Sequence, residues 1–534
     1  MTEIILFLIS FLTRFVFLYF GYPSVTHDEA DYFINSYLLA KTGSDIYNQK
    51  FFLTSGILNA TSSIPVYLGS LVYLFFEKSV ISGRLPYAIE FFNSSFIYLI
   101  LVKLTRSKVF SLIGFTVLNF SPWFSFLSSL SAIDAPTALV LFLMGFYVLL
   151  TDIKPFIKYS LFLGFSFLSF NSYMGIKTIF LFMVFIAFMS KRIYEKEKLF
   201  FKQILKDFLI SAVIFLIFFL ISLNTPSSKF FKSRLTDKIF LLNPSLIAKN
   251  VDSLRELSKG PKIVRYLLFN KLTVTSSMFL ERYMQVFNPY LLFYKGDSHP
   301  IYGTYYYGLF YLFDFVFLIL GLIFFTNLFK KNWLITIPFF LLLILTPVAI
   351  GITIDGATIS LRGYPMILGY AFFISCGIYY IYFHLLRNRR ITFPIIVLIY
   401  LLSFAHFFST FTTTIRYTSA DQWHINEKIL ADKINEIKTR LNKKIIVYVN
   451  GPRETLLLYL FYKNKNPEEI KKILSKNKLN YENIYFSAEC PQKKINNIIQ
   501  IIHSERCPIN EKVFTSKPLF LPETSLSSKY LLLE

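Results

Sequence analysis

The most constraining feature of the sequence is a series of eleven apolar runs, near 3–21, 85–105, 109–127, 132–151, 158–172, 174–190, 205–223, 304–327, 333–352, 362–386 and 392–412. Most are about 20 residues long, the length a helix needs to cross bilayer hydrocarbon. A water-soluble chain has no means of hiding them. Hydrophobic residues are 54% of the 534, Phe alone accounts for 63, and charged residues are only 16%, against about 25% in soluble domains. Inside hydrocarbon every backbone polar group needs an internal partner, which helices supply within a single segment. The expected class is therefore an all-α polytopic membrane bundle of about eleven transmembrane helices. Ile64–Phe76 is too short to span and reads as a re-entrant or interfacial piece. The first run carries Arg14 and has neither a basic n-region nor a small-residue cleavage site, so it reads as a span and not as a signal peptide.

The net charge of +23 would point to nucleic acid in a soluble protein. Here topology explains much of it. With the N-terminus in the cytoplasm, the short inner loops hold Lys103, Arg106 and Lys108; Lys154 and Lys158; Lys191, Arg192, Lys196, Lys198, Lys202 and Lys206; Lys330 and Lys331; and Arg387, Arg389 and Arg390. The short outer segments hold only Lys41 and Lys50. That asymmetry fixes the orientation expected for a multi-pass protein of the plasma membrane, with membrane lipid and no nucleic acid as partner.

Three polar stretches then face outward: 22–64, 224–303 and a tail from about 413. The expected domains are a transmembrane module, 1–412, and a small extracytoplasmic α/β domain, 413–534. In the tail, Asn442–Asn450 reads as a strand, Glu454–Tyr462 as a helix and Tyr481–Phe486 as a second strand. Cys490 and Cys507 lie in this tail without a CxxC or a His cluster. A disulfide and two separate thiols are both open readings.

Ionisable residues near membrane depth carry the functional signal. Pro23 ends the first helix, and His27-Asp28-Glu29-Ala30-Asp31-Tyr32 follows at once. The plain reading is the acidic first turn of an interfacial helix over Asp28–Lys41, with Asp31 on its solvated face. A second acid, Asp134, opens the fourth run on the same side, where capping with Pro136 in the first turn is the plain alternative. Asp28 and Asp134 share a face and a depth, so the pair suits a general base or a divalent metal (Mg, Mn or Zn). Arg84, Lys177 and Arg362 are cations at the outer ends of their helices. Each alone would read as a side chain snorkelling to headgroups. Together they suit the binding of a donor phosphate. His27 and His299 have no spacing diagnostic of zinc, and Tyr305-Tyr306-Tyr307 reads as an interfacial belt.

In order along the chain, His27-Asp28-Glu29-Ala30-Asp31-Tyr32 after the first helix, Arg84-Leu85-Pro86, Ser121-Pro122-Trp123 before the Asp134 segment, and Phe287–Asp297 before Gly303–Gly308 resemble the GT-C superfamily of membrane glycosyltransferases. The similarity is to protein O-mannosyltransferases, the lipid A aminoarabinose transferase and bacterial transferases of lipopolysaccharide-core sugars, and it spans residues 1 to about 425. It implies a sugar donor on polyprenyl phosphate and a hydroxyl acceptor on a glycan, lipid or protein at the outer face. It implies Asp28 as general base of a single inverting displacement, Glu29 orienting the acceptor or supporting Asp28, and Asp134 in the acidic site or on a metal. Lys177 and Arg362, with Arg84, are the candidates for the phosphate; Arg282 and Lys295 are alternatives. Many bacterial relatives carry an Arg after the Pro-Trp turn, where this chain has Ser128-Ser129-Leu130-Ser131.

A lipid-linked sugar flippase or exporter is the main competing class. It would distribute charge through the middle of the bundle, whereas the acids here collect at one surface beside a tail of about 120 residues. A polysaccharide polymerase is a further alternative, because 224–303 is a large outer loop.

Overall fold

The computed structural model describes residues 2–49, 62–127, 134–197, 200–223, 239–297, 299, 301–304, 306–329, 333–354, 359–385, 389–441, 443–463, 466–476, 478–493, 495–507, 516–520 and 527–533. The chain forms two compact units, Met1–Tyr19 with Tyr87–Ile415 and Phe20–Pro86 with Arg416–Glu534. The polar segment after the first helix thus folds with the tail.

Among the described residues, six helices are long and apolar enough to cross a membrane: Glu3–Phe20, Val80–Thr105, Phe201–Leu223, Trp333–Gly351, Met366–Phe383 and Thr392–Thr418. The remaining five runs fall on helices of 13 to 17 residues, namely Lys108–Phe120, Asp134–Leu149, Pro155–Phe170, Phe180–Tyr194 and Leu312–Leu328. Local chemistry shortens some of them. The run expected over 109–127 breaks at Ser121, whose hydroxyl accepts from Phe124 N at 3.3 Å and caps a new helix, Pro122–Phe126, with Pro at its start. The chain is a multi-pass helical membrane protein.

Within the first unit the Leu312–Leu328 and Met366–Tyr380 helices pack backbone to backbone. A Cβ on Gly321 would collide with the Phe373 carbonyl, and one on Gly377 with that of Phe317. Such close approach needs glycine at the crossing. The stretch 224–303, expected as a polar loop, contains three α-helices among its described residues: Pro244–Leu257, Lys262–Leu268 and Lys271–Gln285.

The second unit holds a six-stranded sheet of β1 (Lys444–Tyr448), β2 (Asn480–Tyr481), β3 (Ile484–Ser487), β4 (Ile498–His503), β5 (Ser516–Phe520) and β6 (Ser527–Leu533), in the order β2-β3-β1-β4-β6-β5. β1 lies parallel to β3 and β4, with Ile445 opposite Ile484 and Ile499; β6 runs antiparallel to β4 and β5. Period-two alternation puts Ile445 and Val447 into the core, where the Pro452–Tyr462 helix buries Leu456, Leu457 and Leu460. The expected single strand at Tyr481–Phe486 is two short antiparallel strands, because Glu482 takes a left-handed turn conformation (φ 50°). Cys490 and Cys507 form a disulfide, which settles the two readings of that pair.

Candidate active site

The His27-Asp28-Glu29 motif forms the first turn of a helix, His27–Thr42. Thr26 and Glu29 make a reciprocal capping box: Glu29 N donates to Thr26 Oγ1 and Thr26 N to Glu29 Oε2, both at 3.1 Å. Gly43, in the left-handed region at φ 69°, closes the other end by donating to Leu39 O at 3.0 Å.

Glu29 has a second engagement. Arg84 Nε donates to its Oε1 and Arg84 Nη2 to its Oε2, each at 2.9 Å. The same guanidinium reaches Tyr22 O at 2.6 Å and Ser24 O at 2.8 Å. Both side chains are buried, at 2% and 0% exposure, so this is an ion pair held away from water with its hydrogen-bonding groups matched. Trp423 from the tail lies 5.4 Å from the guanidinium and stacks on Tyr22 with ring centroids 4.0 Å apart.

Asp28, one residue earlier, points elsewhere. Its side chain is half exposed, and Oδ1 lies 3.5 Å from His27 Nε2. A carboxylate in the first turn is favoured by the helix dipole. Asp31 is not on a solvated face: it is buried, and its Oδ1 accepts from Asn35 Nδ2 at 2.9 Å. This corrects the sequence reading, and it leaves Asp28 as the acid of the triplet that meets solvent.

A histidine of the tail joins this turn, and nothing in the sequence marked it. His27 Nδ1 lies 3.3 Å from His424 Nε2, and His424 Nδ1 lies 3.3 Å from Glu427 Oε2. Tyr530 donates to the other oxygen of Glu427 at 3.2 Å. Burial works against protonation of His424, yet the Glu427 carboxylate, with Glu454 and Asp421 behind it, outweighs that and holds the imidazole above its usual range. Because the folded value is raised, the pair's stabilisation is complete below the unfolded pKa of about 6.5 and is lost as pH rises through the folded value. Purified wild type should lose this stabilisation across that window. In His424→Ala, thermal unfolding should show no such pH-dependent step; an unchanged profile would refute the pairing.

The other predicted residues lie in the first unit. Asp134 begins its helix, half-buried, with Oδ1 accepting from Ala135 N at 2.8 Å. Lys177 is half-buried, 5.0 Å from the Phe170 ring. Arg362 ends the short helix Ile359–Arg362 and donates to Thr353 Oγ1 at 2.6 Å. Of the alternative cations, Arg282 sits 4.7 Å from the Phe240 ring and Lys295 is exposed. His299 stacks on Tyr302 at 4.6 Å. The Ser128–Ser131 departure lies outside the described residues. Among the described residues no three His, Cys, Asp or Glu side chains gather as a metal site would require.

Asp297, the last residue of the Phe287–Asp297 motif, sets the base of the Arg362 helix. Its Oδ2 accepts from both Ser360 N and Ser360 Oγ at 2.8 Å, its Oδ1 accepts from His299 N at 3.0 Å, and it is 2% exposed. Trp123 of the Pro-Trp turn donates to Ser360 O at 2.9 Å. Two separated sequence motifs therefore converge on one residue, two positions before Arg362. Asp297→Ala would strand the buried Ser360 amide, at about 1–3 kcal/mol, while Ser360 Oγ keeps Tyr302 O at 3.2 Å. It should lower the thermal midpoint more than Ser360→Ala does, and equal midpoints would refute the clamp.

Buried ionisable groups also occur among the spanning helices. Arg14 donates to Asn119 O at 3.2 Å and lies 4.2 Å from the Phe124 ring, while Glu90 accepts from Thr137 Oγ1 at 3.5 Å. Both are fully buried, and Glu90 had no motif to announce it.

No family model matches the chain, and no curated protein matches it in sequence. Solved structures do match. ArnT from Cupriavidus metallidurans bound to undecaprenyl phosphate superimposes with a TM-score of 0.50 at 9% identity, covering 99% of this chain and 96% of that one. Its apo state gives 0.46 at 9% identity, covering 99% and 97%. The archaeal oligosaccharyltransferase AglB from Archaeoglobus fulgidus, in complex with an inhibitory peptide and a dolichol-phosphate, gives 0.44 at 13% identity, covering 94% and 69%. On the first of these, which spans nearly the whole of both chains, this protein has the GT-C fold.

Proposed function

We propose that the protein is a membrane glycosyltransferase that moves a sugar from a polyprenyl-phosphate donor to a hydroxyl acceptor at the extracytoplasmic face. One observation carries the assignment of the base. Of the three carboxylates in the first-loop motif, Glu29 is locked to Arg84 and Asp31 is buried, and only Asp28 presents its carboxylate to solvent. The fold supports the donor class, since ArnT was solved with undecaprenyl phosphate bound.

In this reading Asp28 takes the proton of the acceptor hydroxyl as its oxygen attacks the anomeric carbon. The bond from that carbon to the phosphate oxygen breaks, and polyprenyl phosphate leaves with the electron pair. The configuration inverts in this single displacement. The leaving phosphate is already a fair anion, so the main tasks are to activate the nucleophile and to stabilise charge on the phosphate. Lys177 and Arg362 are assigned to that charge, and Asp134 to the acidic side of the site. Glu29 and Arg84 position the turn that carries Asp28; neither touches substrate in this reading. No step is routed through a metal.

The test is label transfer from a panel of radiolabelled polyprenyl-phosphate sugars to native acceptors, in membranes holding the protein. Transfer by wild type supports the reading. Movement of the lipid-linked sugar across the bilayer without transfer would replace it with a flippase.

A further inference from the structure

The segment expected as a polar outer loop has an unusual surface. Around the Lys262–Leu268 helix, Leu257, Ile263, Leu267, Leu268 and Leu272 are exposed at 77%, 76%, 68%, 58% and 76%. Interleaved with them stand Lys259, Lys262 and Lys271, all exposed, and no Asp or Glu occurs from 257 to 280.

This apex is held in shape from within. Arg255 Nε donates to Phe269 O at 2.8 Å, and its guanidinium lies 4.1 Å from the Tyr266 ring. Arg265 Nη1 returns to Arg255 O at 3.2 Å. The backbone of the turn is thus fixed by its own arginines, and the leucines are displayed by a built scaffold. Leu280 and Met284, also exposed, lie one turn apart near the end of the Lys271–Gln285 helix, at the i, i+4 spacing of one helix face. At the foot of that helix, Tyr283 donates to Ile344 O at 2.8 Å. Ile344 belongs to the Trp333–Gly351 span, so the helix that carries Leu280 and Met284 is tied to a membrane-crossing helix of the same unit.

We propose that the Leu257–Leu272 apex is a membrane-docking element that seats its leucines in the headgroup layer of an anionic leaflet. Apolar side chains flanked by lysines, with cations outnumbering acids from Asp252 to Arg282, fit an interface of acyl chain below and phosphate above. The inference is independent of the transferase reading.

The full chain in nanodiscs provides the test. Leu267→Cys carries a fluorescent probe; Cys376 is buried and the other two cysteines are paired. Glu468→Cys, exposed on a helix of the tail, is the control. Nitroxide-labelled lipid should quench the Leu267 probe at least about threefold more than the control, and aqueous iodide should quench it less. Charge reversal of Lys259, Lys262 and Lys271 to Glu should lower lipid quenching by about threefold in discs containing phosphatidylglycerol, and little in phosphatidylcholine alone. Iodide quenching equal to the control would overturn the proposal. So would protection from both quenchers, which would mean that protein covers the face.

Discussion

Membranes carrying Asp28→Asn should transfer sugar at less than about one hundredth of the wild-type rate, since a positioned general base contributes roughly 10²–10⁴-fold. The amide keeps the shape of the carboxylate and fits the same helix turn, so protein level and thermal midpoint should stay as in wild type. The deficit should fall on kcat and on kcat/KM together, the pattern of an interaction made only in the transition state. Asp28→Glu should recover part of the rate, because the base survives on a longer arm. A loss under threefold in Asp28→Asn, with transfer otherwise intact, would remove Asp28 from the chemistry. The neighbouring acids are the internal contrast: Asp31 is buried against Asn35 and Glu29 is locked to Arg84, so changes there should act first on stability.

Much of this was legible in the residues, and for physical reasons. Long apolar runs have few fates, so the helical membrane class follows from them, and each expected run begins or ends within a few residues of a described helix boundary even where Ser121 or the Thr178-Ile179 turn divides one. The helix after the first loop turn was legible because an acidic first turn is local: Asp28 and Glu29 open it just after Pro23, while the Thr26–Glu29 capping box shows only in the structure. What the sequence hid was long-range. Nothing near His424 or Trp423 indicates that they meet residues 22 to 27, some 400 positions earlier. β4 reads only as an apolar stretch until its pairing with β1 and β6 gives it a place. The 224–303 stretch reads as a polar loop because its charged residues break up every apolar run; the display of its leucines emerges once Arg255 and Arg265 fix the turn. Arg84 shows the same limit in the other direction. At a helix end it reads as a cation for phosphate, and only the fold reveals that Glu29, Tyr22 and Ser24 already hold it.

That distinction supports the second large effect, on stability. Arg84→Ala leaves the Glu29 carboxylate buried without its partner, and losing one member of a buried pair costs about 3–5 kcal/mol. Typical domain stability is about 5–15 kcal/mol, so the variant should aggregate or melt far below wild type. Glu29→Ala should be at least as damaging, because it also removes the capping box, worth roughly 1 kcal/mol. The informative variant is the double, Glu29→Leu with Arg84→Met. It removes both charges while keeping apolar volume, which in other buried pairs is often neutral or stabilising. The double variant should therefore be more stable than Arg84→Ala alone, with a coupling of about 2 kcal/mol or more. It will not reach wild type, since the Tyr22 and Ser24 carbonyls still lose their donor. If Arg84 instead served the donor phosphate, Arg84→Ala would fold with an ordinary midpoint and raise the KM for donor, and the double variant would rescue nothing. Unfolding midpoints of the three variants, measured beside donor KM, separate the two roles: a cation that holds the Asp28 turn acts on the fold before it acts on the substrate.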